Sequence, residues 1–139
     1  GSMNGKVVII TGANTGLGLE SSCRLAAAGA TVVLATRNPQ KGEKAVQAVT
    51  DYLATNGVTR LSGQQIVSLP LDLCDFGSIR AFPKLVSQTL DGRTVDVLLN
   101  NAGVMAIPDR RLTKDGFETT FQTNHLGHFL LTSELLPLI

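Results

Sequence analysis

At 139 residues the chain has the length of one domain, and 43% hydrophobic residues supply enough apolar surface for a buried core. Twelve basic side chains against eleven acidic ones, with no Lys/Arg block, give no support to a nucleic-acid surface or a polybasic membrane anchor. An aromatic content of 4% without tryptophan removes the stacking platforms of single-strand binders, and the apolar runs fall far short of the ~20 residues a membrane segment needs.

Gly1-Ser2 ahead of Met3 reads as a cloning remnant, so residues 1–3 are set aside and the domain is expected over 4–139. No basic-then-apolar secretory pattern opens the chain, although an anchor upstream of Met3 in a longer form stays open. Cys23 and Cys74 are far apart in sequence and have no Cys/His cluster beside them. They read as small buried thiols in a reducing, cytoplasmic setting, with no metal site.

Val7-Val8-Ile9-Ile10 predicts the first strand. It stops at Thr11-Gly12, and Ala13, Asn14, Thr15, Gly16, Leu17 and Gly18 lead into helix formers from Leu19 to Ala28, closed by Gly29. Strand, glycine turn and helix suit a backbone that passes close to a phosphate and offers it free N–H groups. Gly12 would allow the tight turn, Gly16 would clear room for a pyrophosphate, and Gly18 would let the helix lie close on the sheet. The spacing is G-x-x-x-G-x-G and not the G-x-G-x-x-G fingerprint, and ordinary βα turns also use glycine.

Thr31–Thr36 predicts the second strand. Asn38-Pro39 starts a helix with Pro39 in its first turn; Ala45, Val46, Val49 and Leu53 form its apolar face, and Asn56-Gly57 stops it. Gln65–Leu69 predicts the third strand. Asp75 is placed to cap a helix whose inner face carries Ile79, Phe82 and Val86. Pro83 falls inside that helix, so a kink or a late start is expected there. Asp91-Gly92 ends it, and Val95–Leu99 predicts the fourth strand, followed by Asn100-Asn101-Ala102-Gly103. A loop with Pro108 and Asp109-Arg110-Arg111 leads to a long helix expected from about Asp115 toward Leu136. Apolar runs alternating with helical patterns, without hairpin signals, predict an α/β fold: a doubly wound parallel sheet of Rossmann type, with right-handed crossovers and ligands at the carboxyl ends of the strands.

At the end of the second strand an acidic residue would favour NAD; this chain has Arg37, which can pair a 2′-phosphate and stack on adenine, or simply be a solvated surface arginine. NADP(H) is therefore the expected cofactor, with NAD(H) second. Asp72, followed by Leu73, lies past the third strand and either accepts from an adenine amino group or caps its loop. Asn100 to Gly103 either line a ribose or make an ordinary turn.

Taken in order, Thr11-Gly12-x-x-x-Gly16-x-Gly18, Arg37, Asp72, Asn100-Asn101-Ala102-Gly103 and Asn124 resemble the short-chain dehydrogenase/reductase family along the whole chain. Asn124-His125-Leu126-Gly127-His128-Phe129-Leu130-Leu131-Thr132, with Asp115-Gly116-Phe117-Glu118, is similar to its retinol-dehydrogenase-like subgroup, which also resembles protochlorophyllide reductase. The resemblance implies a sheet order 3-2-1-4, a pyrophosphate held by Gly12 to Gly18, Asp72 on adenine, and Asn101 to Gly103 on the adenosine-side ribose or bracing the sheet. It implies that Asn124 is the active-site asparagine that helps hold a water in a proton relay; read as a residue alone, it is an exposed helical asparagine. His125 and His128 have no metal-spaced partners and read as helix-packing or surface residues.

The family's proton donor is a tyrosine with a lysine four residues later, preceded by a serine. The only tyrosine here is Tyr52, followed at that spacing by Asn56. The chain thus resembles an amino-terminal portion of such an enzyme, expected to be inactive by itself. The implied activity is NADP(H)-dependent hydride transfer between an alcohol and a small apolar carbonyl; the alternatives are a non-catalytic dinucleotide-binding module and an assembly module. Homo-oligomers are expected through the edge of the fourth strand or through the last helix, with Phe117, Phe121 and Phe129 seeking cover.

Overall fold

The computed structural model describes residues 2–139. Four strands alternate with helices: β1 (Val7–Thr11), α1 (Gly16–Ala27), β2 (Thr31–Thr36), α2 (Pro39–Thr55), β3 (Ile66–Pro70), α3 (Phe76–Thr89) and β4 (Val97–Leu99). The chain closes with α4 (Thr119–Phe121), a π-helical turn (Gln122–Leu126), α5 (Gly127–Leu135) and a 3-10 turn (Leu136–Leu138). The sheet is parallel in the order β3-β2-β1-β4, with Val7 opposite Thr31 and Val8 opposite Val97.

Period-two alternation in the buried strands feeds two separate cores. Val7, Ile9, Val33 and Ala35 point to the layer formed by Ile79, Phe82 and Val86 of α3 and Leu131 and Leu135 of α5. Val8, Ile10, Val32 and Leu34 point the other way, against Cys23 and Ala26 of α1 and Ala45, Val49 and Leu53 of α2. The two-sided cover is what makes β1 and β2 unbroken apolar runs. Each of these large side chains, fully buried, contributes about 1.5–3 kcal/mol.

The helix starts follow local chemistry. Asn38 caps α2 by accepting from the Lys41 amide at 3.1 Å, with Pro39 in the first turn; Asp75 caps α3 by accepting from Gly77 at 2.8 Å. Three elements depart from the sequence expectations. The third helix does not start late at Pro83: α3 runs uninterrupted from Phe76, with Pro83 inside it. The fully buried Ile79, Phe82 and Val86 hold both flanks of the proline, and their burial exceeds the ~3 kcal/mol that an interior proline costs.

The fourth strand begins at Val97 and not Val95, because the Val95 amide donates to the Leu138 carbonyl at 2.7 Å. The last helix does not begin at Asp115. Residues 112–118 fold into a tight loop closed by an antiparallel bridge between Leu112 and Glu118, with Gly116 at φ +88°. The Asp115 carboxylate is taken by the Phe76 amide and the Gln122 side chain, both at 2.9 Å. Glu118 caps the helical stretch instead, accepting from Phe121 at 2.7 Å and Thr120 at 3.0 Å, and those amides hold its carboxyl below the ordinary range.

Candidate functional site

All four strands run the same way, so the loops that follow them meet at one edge of the sheet. The order β3-β2-β1-β4 puts the chain's reversal between β1 and β4, where an open α/β sheet leaves a crevice. A cleft of about 550 Å³ lies there. Gly12, Asn14, Thr15, Leu17, Arg37, Asp72, Leu73, Asn101, Ala102 and Gly103 all line it.

The floor is the junction of β1 with the segment after β4. Thr11 is buried, and its hydroxyl oxygen accepts from the amides of Asn101 and Ala102, both at 2.9 Å. The Asn101 side chain donates back to the carbonyls of Thr11 at 3.0 Å and Gly12 at 3.3 Å. Asn101 therefore braces the sheet. This close approach is why position 12 is glycine: a Cβ there would stand 2.8 Å from the Ala102 Cα, and φ is +61°. The Asn100 side chain donates to Thr132 at 3.1 Å, tying the same segment to α5.

Gly16 and Gly18 stand behind the cleft wall. Gly16 is needed for its φ of +55°, since a Cβ there would meet open space. Gly18 is needed for contact: a Cβ would run into the Gly12 carbonyl oxygen and stand 2.6 Å from the Asn101 side-chain nitrogen Nδ2. Thr15 precedes α1 in extended conformation without a side-chain cap, which leaves the first-turn amides of α1 free of a protein acceptor at the cleft.

At the other end, Arg37 leaves β2 and is exposed, and Lys41, in the first turn of α2, lines the same wall. Of these two cations only Arg37 carries a signal in the sequence itself, at the end of the second strand. Lys41 lies beside it because Asn38 and Pro39 fix the start of α2, a spacing of four that a helix cap makes meaningful. Asp72 takes the loop-capping role: its carboxylate accepts from the Cys74 amide at 2.9 Å, and its own backbone N–H donates to the Ser78 hydroxyl at 2.9 Å. Cys74 in turn meets the Thr123 hydroxyl at 3.0 Å.

Asn124 does not line the cleft. It lies in the π-helical turn, and its amide is doubly engaged with the Val104 backbone, accepting from N–H and donating to C=O, both at 2.8 Å. His128, read as packing or surface, is buried, and burial pushes its imidazole below the ordinary range. Its Nε2 lies 2.8 Å from the Thr11 hydroxyl.

The family model described as short chain dehydrogenase matches residues 6–139. The chain belongs to the short-chain dehydrogenase family. It is 47% identical over 132 residues to human retinol dehydrogenase 11, covering 95% of this chain and 38% of that protein. It is 43% identical over 141 residues to mouse retinol dehydrogenase 14, covering 100% of this chain and 41% of that one. Among solved structures, an uncharacterized protein from Mycobacterium paratuberculosis superposes with a TM-score of 0.79 at 44% identity, covering 99% of this chain and 44% of that one. The chain spans about two fifths of the length of the retinol dehydrogenases it matches. The family binds nicotinamide dinucleotides. Within this short-chain dehydrogenase, no helix is long and apolar enough to cross a membrane among the described residues.

Proposed function

We propose that this chain holds NADP(H) for an oxidoreductase that interconverts an alcohol and a carbonyl by hydride transfer. The observation that carries the reading is the cleft itself, with the free amide end of α1 at one side and Arg37 with Lys41 at the other. The cradle fits a dinucleotide: the space that a Cβ at Gly16 would enter is open, and the α1 amides suit a pyrophosphate. Arg37 and Lys41 supply two positive charges for a 2′-phosphate, where NAD(H) would call for an acidic residue. The free oxygen of Asp72 suits the adenine amino group. Asn101, Ala102 and Gly103 line the cleft beside Gly12 and suit the adenosine-side ribose.

The bound dinucleotide would supply the hydride. The chain's own contribution is to bind and orient it, with Asn124 fixing the Val104 segment that borders the cleft. Tyr52, the one tyrosine of the sequence, lies near the end of α2, which starts at the cleft and finishes at the opposite edge of the sheet. It cannot serve the cleft as an acid, so these 139 residues bind without turning over. An apolar alcohol such as the retinol named for the relatives is the substrate class we favour, supported by that similarity. A cytoplasmic setting belongs to the same proposal, supported by the free thiols Cys23 and Cys74.

Calorimetric titration with NADPH and NADH tests the cofactor. NADPH is expected to bind at least tenfold more tightly, and the double substitution R37A/K41A to erase that preference while moving NADH by less than about twofold. An unchanged preference would remove both residues from the role.

A further inference from the structure

The Thr11 hydroxyl decides the proton inventory of its surroundings. Its oxygen has two lone pairs, and the Asn101 and Ala102 amides, both at 2.9 Å, fill them. The hydroxyl hydrogen must therefore point outward. Two acceptors are in reach: the Leu99 carbonyl at 3.4 Å and Nε2 of His128 at 2.8 Å. The shorter contact is the ring nitrogen, which makes Nε2 an acceptor and puts the ring proton on Nδ1. There it faces the Asn124 carbonyl at 3.4 Å. The reverse arrangement, Nε2–H donating to Thr11, would aim a third N–H at an oxygen with no lone pair left.

We propose that His128 is a positioning residue of the cleft: its neutral, Nδ1-protonated ring takes the Thr11 hydrogen and so fixes the oxygen that receives the Asn101 and Ala102 amides. One side chain of α5 thereby holds the β1 turn, the segment after β4 and the carbonyl of Asn124 in a single register. The groups hydrogen-bonded around the ring are Thr11, whose oxygen also holds Asn101 and Ala102, and the Asn124 carbonyl; none is charged. Burial of the ring keeps it neutral, in agreement with this proton placement. The role in nucleotide binding rests on the dinucleotide reading above; the role in holding the register does not.

Two measurements on the nucleotide-free protein decide it. Long-range nitrogen–proton NMR of the His128 ring is expected to show protonated Nδ1 and bare Nε2. Amide exchange at Asn101 and Ala102 is expected to quicken at least tenfold in H128L, which keeps bulk without an acceptor. In H128Q, whose carbonyl can replace Nε2, exchange stays within about threefold of the parent. An Nε2-protonated ring, or equal exchange in H128L and H128Q, would overturn the proposal; if H128L does not fold, the ring NMR and H128Q decide. NADPH affinity is expected to fall about tenfold in H128L and to hold in H128Q. Parent protein that binds no NADPH would sink the dinucleotide reading, while the exchange rates would still judge His128.

Discussion

The glycines at 16 and 18 are two letters apart in one motif, yet the fold constrains them differently. Gly16 holds φ +55° in open space, so alanine there meets only the left-handed backbone penalty of about 1–2 kcal/mol. Gly18 has ordinary φ but no room, with the Gly12 carbonyl and Asn101 side chain where a Cβ would go. Both are backbone or backbone-bonded, and neither yields without pulling α1 off β1. Overpacking of this kind costs about 1–3 kcal/mol, and here it also breaks the Asn101 brace. Urea denaturation is expected to show G18A losing more stability than G16A. The reverse order would mean that α1 can shift freely, against the close packing seen. The glycine positions were legible in the sequence because their spacing reports a local turn. His128 and Lys41 were not, because each gains its meaning from another element: Thr11 across 117 positions of sequence, and Arg37 through a helix start.

At the scale of elements, apolar periodicity located all four strands and the first three helices, since each is a local pattern with its own cap or stop. What it could not place was decided by competition between elements. Asp115 looks like a helix start until the Phe76 amide and Gln122 claim its carboxylate, and β4 loses Val95 to the Leu138 carbonyl. Pro83 is the instructive case. The proline removes the donor that would reach the Ile79 carbonyl, yet the helix persists because Ile79, Phe82 and Val86 are fully buried around it. Packing therefore overrides a local cost that remains in place. P83A is expected to restore the missing bond and stabilise the protein by about 1–2 kcal/mol, after allowing for the greater freedom it gives the unfolded chain. Chemical denaturation would read this as a higher midpoint at unchanged slope. A lower midpoint would show that the half-buried pyrrolidine ring contributes more by packing than the hydrogen bond restores.

For the whole molecule, the outstanding feature is apolar surface without cover. Phe121 and Phe129 are 52% and 71% exposed, His125 stacks on Phe121 with ring centroids 5.4 Å apart, and Leu136 adds to the same end of the chain. The sheet has a second open flank at β4, whose outer side has no strand partner among the described residues. These two surfaces compete as sites of self-association, and their sizes differ. A strand of three residues offers few backbone groups to pair, so it is a poor template. Phe121, Phe129 and Leu136, exposed along the helical stretch from α4 to the 3-10 turn, offer more apolar area than that strand edge, and exposed apolar area of this kind favours contact. We therefore expect the chain to self-associate through the helical face and not the strand edge. Sedimentation at micromolar concentrations should show a species larger than one chain that dissociates on dilution, and F121E/F129E should leave only the single chain. Association that survives that double substitution would assign the contact to β4. A single chain at every concentration would show that these rings stay exposed without cost to solubility, and would end the oligomer proposal.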